Sequence, residues 1–177
     1  MSWIASSLWD LLAGRKTPPR SPRSPRSKSA ESATKKSTPT RKPMQARYDK
    51  LVTDMKQTYG VRIRKWRSSM TGCAWEVHYE SGRLVRLVES PYPKGPMSCA
   101  IFLHEIGHHV IGFRIYRPRC LEEYHAWKWS LDTMRELGFN VTKSVEKRMA
   151  ESLRYAVAKA RRRGLKKLPT ELIPYAT

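Results

Sequence analysis

Apolar residues recur along this chain with two different periods, and the changes of period mark out its elements. From Ala46 to Tyr59 the positions Tyr48, Leu51, Val52 and Met55 lie three and four apart, which predicts a helix that Gly60 is placed to stop. The period then drops to two. Val61 and Ile63 alternate with Arg62 and Arg64 through Trp66, and Trp75, Val77 and Tyr79 align across Ala74 to Tyr79. Arg83 to Val88 follows across Glu80-Ser81-Gly82, so the second and third strands read as a hairpin with glycine in the turn. Pro91, Pro93 and Pro96 close the sheet and open the next helix, an apolar run from Ser98 to Gly112. A basic irregular stretch, Phe113 to Cys120, precedes a helix from about Leu121 to Leu137 that Gly138 ends. Thr142 or Ser144 caps a last helix reaching Arg163, with Val145, Met149, Leu153, Ala156, Val157 and Ala160 on one stripe.

These elements predict an α+β fold, a small antiparallel or mixed three-stranded sheet packed against helices. They fill residues 44–168 as one domain and leave 169–177 as a tail. Upstream the pattern fails. Residues 14–43 carry Pro18, Pro19, Pro22, Pro25, Pro39 and Pro43 among Ser, Thr, Arg and Lys, with Glu31 the only acid. Too little apolar surface is present to offset the entropy of ordering that stretch, which reads as a disordered linker. Before it, residues 1–13 place Ile4, Leu8, Leu11 and Leu12 at helical spacing, an amphipathic segment suited to a membrane surface or a partner's groove.

Charge widens the set of partners. Thirty-five Lys and Arg against 15 Asp and Glu give a formal net charge of +20, which attracts nucleic acid and anionic membrane surfaces alike. The basic linker and the outer faces of the last helix, with Lys143, Lys147, Arg148, Arg154, Lys159, Arg161, Arg162 and Arg163, are where such contacts would fall. No base-reading motif accompanies them, so that binding would be non-specific. Three cysteines, Cys73, Cys99 and Cys120, form no C-x-x-C pair and support neither a disulfide framework nor a zinc ribbon. A reducing, cytoplasmic setting is expected, with peripheral membrane or organelle association through residues 1–13 as the variant. No apolar run is long enough to span a bilayer.

The chemistry sits in the middle helix. His104-Glu105-Ile106-Gly107-His108 puts two imidazoles one helical turn apart on one side, where both can hold a single Zn²⁺, and places Glu105 beside them as general base for a metal-activated water. Two histidines and a glutamate that merely satisfy one another in a core are the plainer alternative. A catalytic zinc needs one more protein ligand, and Glu122, Glu123 and His125 are the candidates. At about 100° per residue, Trp127, Ser130 and Met134 fall within about 40° of Glu123, which puts Glu123 on an inward face. Glu122 lies about 100° away and is expected to face water; His125 lies about 160° away. His109, one turn beyond Glu105, is placed to orient that carboxylate or to pack in the core. Cys120 lies on the Glu123 side of its helix, and Tyr116, Tyr124 and Tyr155 are available as oxyanion donors.

The order helix, strand, hairpin, His104-Glu105-x-x-His108 helix and second helix carrying Glu123-x-x-Ala126 resembles the minimal gluzincin core of ImmA/IrrE-type zinc metallopeptidases, over roughly residues 46–137. The resemblance implies hydrolysis of a protein or peptide substrate, Glu123 as third zinc ligand, and substrate added as an extra strand along an edge strand at Arg83 to Glu89. The bulky Trp127-Lys128-Trp129 departs from that family. The chain is also similar, more loosely, to SprT/Spartan-type DNA-dependent proteases: His125-Ala126-x-x-Trp129 echoes their third-ligand setting, with glycine missing at 126. A basic protein associated with nucleic acid or an anionic surface, its zincin-like domain catalytically inactive, is the alternative to an enzyme.

Overall fold

The computed structural model describes residues 43–176. The amphipathic segment expected over residues 1–13 and nearly all of the linker expected over 14–43 lie outside them. The described chain forms helix α1 (Pro43–Tyr59), strands β1 (Val61–Arg67), β2 (Cys73–His78) and β3 (Leu84–Pro91), helices α2 (Pro96–Ile111), α3 (Arg119–Glu136) and α4 (Lys143–Arg162), and a 3₁₀ turn over Thr170–Tyr175. The architecture is α+β, with a mixed three-stranded sheet against helices.

Strand order is β1-β3-β2. The hairpin forms as its pattern predicts: β2 and β3 pair antiparallel from Cys73 opposite Glu89 to His78 opposite Leu84, and Gly82 turns the chain at φ 78°. β1 pairs with the other side of β3 in parallel, with a register shift between Ile63 and Lys65. Both sides of β3 are therefore occupied. The resemblance-based role for Arg83 to Glu89 as a free edge is overturned, because that segment is the central strand, and the unpaired edges belong to β1 and β2.

α2 is buried almost all round, as its apolar run requires; Phe102, Leu103 and Ile106 have no exposed surface. Fully burying such side chains stabilises the fold by about 1.5–3 kcal/mol each. One side of α2 rests on the sheet and the other on α3, the most extensive helix contact among the described residues. Two small residues set that contact. Gly107 faces α3 so closely that an added Cβ would lie 2.9 Å from the Ala126 carbonyl oxygen. Ser130 Oγ, fully buried, donates to the Ala100 carbonyl at 2.7 Å. At the start of α2, Ser98 Oγ accepts from the Lys94 and Gly95 amides at 2.9 and 3.2 Å, so a side chain inside the helix ties down its own entry.

α4 lays Val145, Leu153, Ala156 and Val157 into the core as its stripe predicts, and Thr142 Oγ1 accepts from the Val145 amide at its start. In the 3₁₀ turn of the segment expected as a tail, Leu172 is fully buried and belongs to the core cluster, and the turn packs against α3 and α4. Among the described residues, no helix is long and apolar enough to cross a membrane.

Candidate metal centre

His104 and His108 project from α2 one turn apart, and Glu123 reaches them from the first half of α3. All three are buried. His104 Nε2 and His108 Nε2 lie 3.3 Å apart; Glu123 Oε2 is 3.4 Å from the former and 3.7 Å from the latter. Direct hydrogen bonds in a packed core are mostly about 2.7–3.2 Å. Ligands about 2.0–2.1 Å from a tetrahedral ion are about 3.3–3.4 Å from one another. The three donors are thus spaced for an ion between them rather than for bonding to each other, and this His104, His108 and Glu123 group could hold a metal. Two neutral nitrogens and one anionic oxygen suit Zn²⁺, and three protein donors leave a fourth position for water.

Phase along α3 places Glu123 as the sequence indicates, and the bulky Trp127-Lys128-Trp129 does not disturb it. Trp127 is buried with its ring stacked on His104 at 4.4 Å between centroids. Trp129 packs edge-on against Tyr59, and Lys128 points to solvent beside Asp132. His125 is not part of the group. Its ring is held between Tyr116, stacked at 3.8 Å, and Tyr124, edge-on at 5.3 Å, which removes the structural basis for the SprT-like third ligand.

Glu122 corrects the sequence reading. It was expected in water, yet it is 2 % exposed, with Oε1 3.2 Å from His108 Nδ1. Its other oxygen accepts from the Arg114 amide at 3.0 Å. A carboxylate behind a liganding imidazole fixes its ring and tautomer and raises its basicity. The acidic pair Glu122-Glu123 is divided: Glu123 faces the two Nε2 atoms and could hold a metal with them, while Glu122 lies against the far nitrogen of His108. Neither His104 Nδ1 nor His108 Nδ1 makes a well-aligned hydrogen bond among the described residues; His108 Nδ1 faces the Glu122 carboxylate at 3.2 Å, and stacking on Trp127 orients the His104 ring.

Electrostatics link the three donors. Burial opposes charge on His108, but Glu123, Glu122 and Glu105 outweigh it and raise its pKa to about 10. Burial, with the neighbouring His108 charge, pulls His104 down to about 4 against the pull of Glu123. Glu123 is pushed up by burial, yet the His108 charge and the closeness of both imidazoles hold its carboxyl well below the usual carboxylate range. Without a metal the cluster keeps one proton, centred on His108, and an incoming cation must displace it.

Glu105 is buried beside the donors at 2 % exposure. The chain entering β2 presses against it, so that a Cβ built on Gly72 would lie 2.3 Å from Glu105 Oε1. His109 does not reach Glu105 as its spacing suggested. Its Nε2 bonds the Leu87 carbonyl at 3.1 Å and its Nδ1 lies 3.9 Å from Glu76, so it fastens α2 to the sheet. Cys120 is buried, and burial raises its thiol pKa, the condition of a packing residue rather than a ligand. Of the candidate oxyanion donors, Tyr116 and Tyr124 are committed to His125 and Tyr155 is half-buried in the core cluster.

No family model, curated protein or solved structure matches this chain. What can be said of its chemistry comes from these side chains. Arg119, at the first turn of α3, was not singled out from sequence; it lies 3.7 Å from Glu123 Oε1 and 3.9 Å from Glu122 Oε1. Its signal was available in the i, i+3 and i, i+4 spacing to those acids.

Proposed function

We propose that this protein is a zinc-dependent metallopeptidase of the ImmA/IrrE-like, minimal gluzincin design. The observation that carries the reading is the set of three buried donors at mutual separations of 3.3, 3.4 and 3.7 Å with a carboxylate, Glu105, next to one of them on the same helix. Zinc bound there would supply a water of lowered pKa and polarise a carbonyl. His104, His108 and Glu123 would hold it, Glu122 would keep His108 in its liganding tautomer, and Glu105 would take the proton of the attacking water and pass it to the leaving amine. An extended peptide would add along the unpaired edge of β2, the strand that directly follows Gly72 and its contact with Glu105, with main-chain hydrogen bonds supplying the register.

The test is zinc stoichiometry and peptide turnover in four proteins. The unaltered chain should carry about one zinc and cut peptides. His104→Ala and Glu123→Ala should lose both. Glu105→Gln should keep zinc and lose turnover, since it removes the base and leaves the ligands. Stoichiometric zinc in both ligand variants would remove the proposal.

A further inference from the structure

Beside the metal centre lies a cavity of about 320 Å³ lined by Arg114, Tyr116, Arg117, Pro118, Arg119 and Glu122. We propose that this cavity is an acid-recognition subsite, which selects peptides carrying a carboxylate close to the bond that is cut. The inference rests on the peptidase reading above and names the substrate class for the same site.

Three arginines and one carboxylate line this cavity, and that carboxylate is already engaged. Glu122 is taken by His108 Nδ1, the Arg114 amide and Arg119. Among the described residues, neither Arg114 nor Arg117 has an ion-pair partner. Their placement runs against local preference. Arg117 and Arg119 flank the start of α3, where the helix field favours anions, so a run of arginines there is unfavourable for the helix itself. Arg114 adopts φ 65°, the left-handed region that side-chain-bearing residues seldom occupy, and the Glu122 carboxylate holds its amide there. A strained arginine and two more at a helix start are the signature of a site kept for a ligand rather than for stability. Planar guanidinium groups bind carboxylates in a two-pronged fashion, and a cluster of them is selective for acidic groups.

The site also lies where a substrate must pass. Glu122 and Arg119 belong at once to the cavity and to the surroundings of the metal donors, so a carboxylate bound there is within a residue or two of a carbonyl at the ion. The end of α4 adds to the field. Lys159 is pulled below its ordinary pKa by burial and by the charges of Arg163, Arg119 and Arg162, which shows cations from two helices converging on this side.

The carboxylate can come from an Asp or Glu side chain or from a peptide's C-terminus, and the experiment separates the sources. Zinc-loaded full-length protein is given a mixture of randomised peptides with free or amidated C-termini, and the cut bonds are read by mass spectrometry. In parallel, the Glu105→Gln protein is titrated with acidic, neutral, amidated and phosphorylated peptides by fluorescence anisotropy. Cut sites should be enriched in Asp or Glu at a fixed distance, or confined to one residue from a free C-terminus, and the Arg114→Gln/Arg117→Gln variant should lower the acidic-to-neutral ratio of kcat/KM about tenfold or more. Binding of acidic peptides to Glu105→Gln that depends on the same arginines, without any cleavage, would keep the subsite and remove the peptidase. Cleavage with no acidic preference, or a ratio that the arginine variant leaves unchanged, would overturn the subsite and leave the peptidase standing. Absence of both cleavage and peptide binding, or arginine-dependent binding of duplex DNA with none of peptide, would overturn it as well.

Discussion

Gly72→Ala tests the placement of Glu105 without touching a metal donor. An added Cβ would stand 2.3 Å from Glu105 Oε1, 2.5 Å from Cγ and 2.6 Å from Cδ. Ordinary contact begins at 3.4 Å, so the carboxylate must withdraw by about 1.1 Å, the difference of 3.4 and 2.3. All three contacts are to one side chain, and moving its tip alone does not relieve the one to Cγ; the whole side chain must swing. Its surroundings are buried, so it cannot turn into solvent without disturbing α2. A displacement of about 1 Å from a reacting position costs on the order of 100-fold in rate. The expected result is a folded protein with unchanged zinc content and turnover reduced by about 100-fold or more, read by metal analysis and peptide cleavage together. Gly72→Ala combined with Glu105→Gln should be no slower than Glu105→Gln alone, because both changes act through one group. Full turnover in Gly72→Ala, or a further independent loss in the double variant, would refute the placement of Glu105 as base.

Three further outcomes follow from the geometry. Gly107→Ala would put a Cβ 2.9 Å from the Ala126 carbonyl and 3.2 Å from the Trp129 ring, forcing α2 and α3 apart; a loss of about 1–3 kcal/mol in denaturant unfolding and weaker zinc retention are expected. Glu122→Gln should lower zinc affinity by about 10–100-fold in a competition assay with a chelator, while Glu122→Gln with native affinity would show that His108 needs no brace. In metal-free protein, thermal melts should be most stable near neutral pH. His109, lowered to about 4, favours the folded state above its unfolded value near 6.5 and loses that contribution as pH falls toward 4. His108, raised to about 10, contributes below about 6.5 and loses that contribution as pH rises toward 10. Zinc should abolish the alkaline loss, since the metal holds His108 neutral in the folded state.

Much of this was legible in the chain because it is local. The His104 and His108 pair follows from helical spacing, the β2–β3 hairpin from two alternating runs around Gly82, and the inward turn of Glu123 from its phase with Trp127, Ser130 and Met134. Glu122 escaped because a single apolar stripe describes a helix with one buried face, whereas α3 is covered by α2, by α4 and by the backbone around Arg114. Strand order escaped for a related reason: alternation marks β1 as a strand but carries no trace of its parallel pairing to β3 across an intervening strand. Leu172 lies in a six-residue turn beside Ile173 and Tyr175, too short a pattern to show that Leu172 is buried while Ile173 is exposed.

Trp127 gives the last helix a hold on the centre. Its ring stacks on His104 at an angle of 28°, and its Nε1 donates to Ser152 Oγ on α4 at 3.0 Å, with both residues buried. A helix that supplies none of the three donors is thereby wired by one indole to the His104 imidazole, and its outward side is rich in lysine and arginine. A load on that outward side reaches the His104 ring through the Ser152–Trp127 bond, which couples the surface of α4 mechanically to the group that could hold a metal.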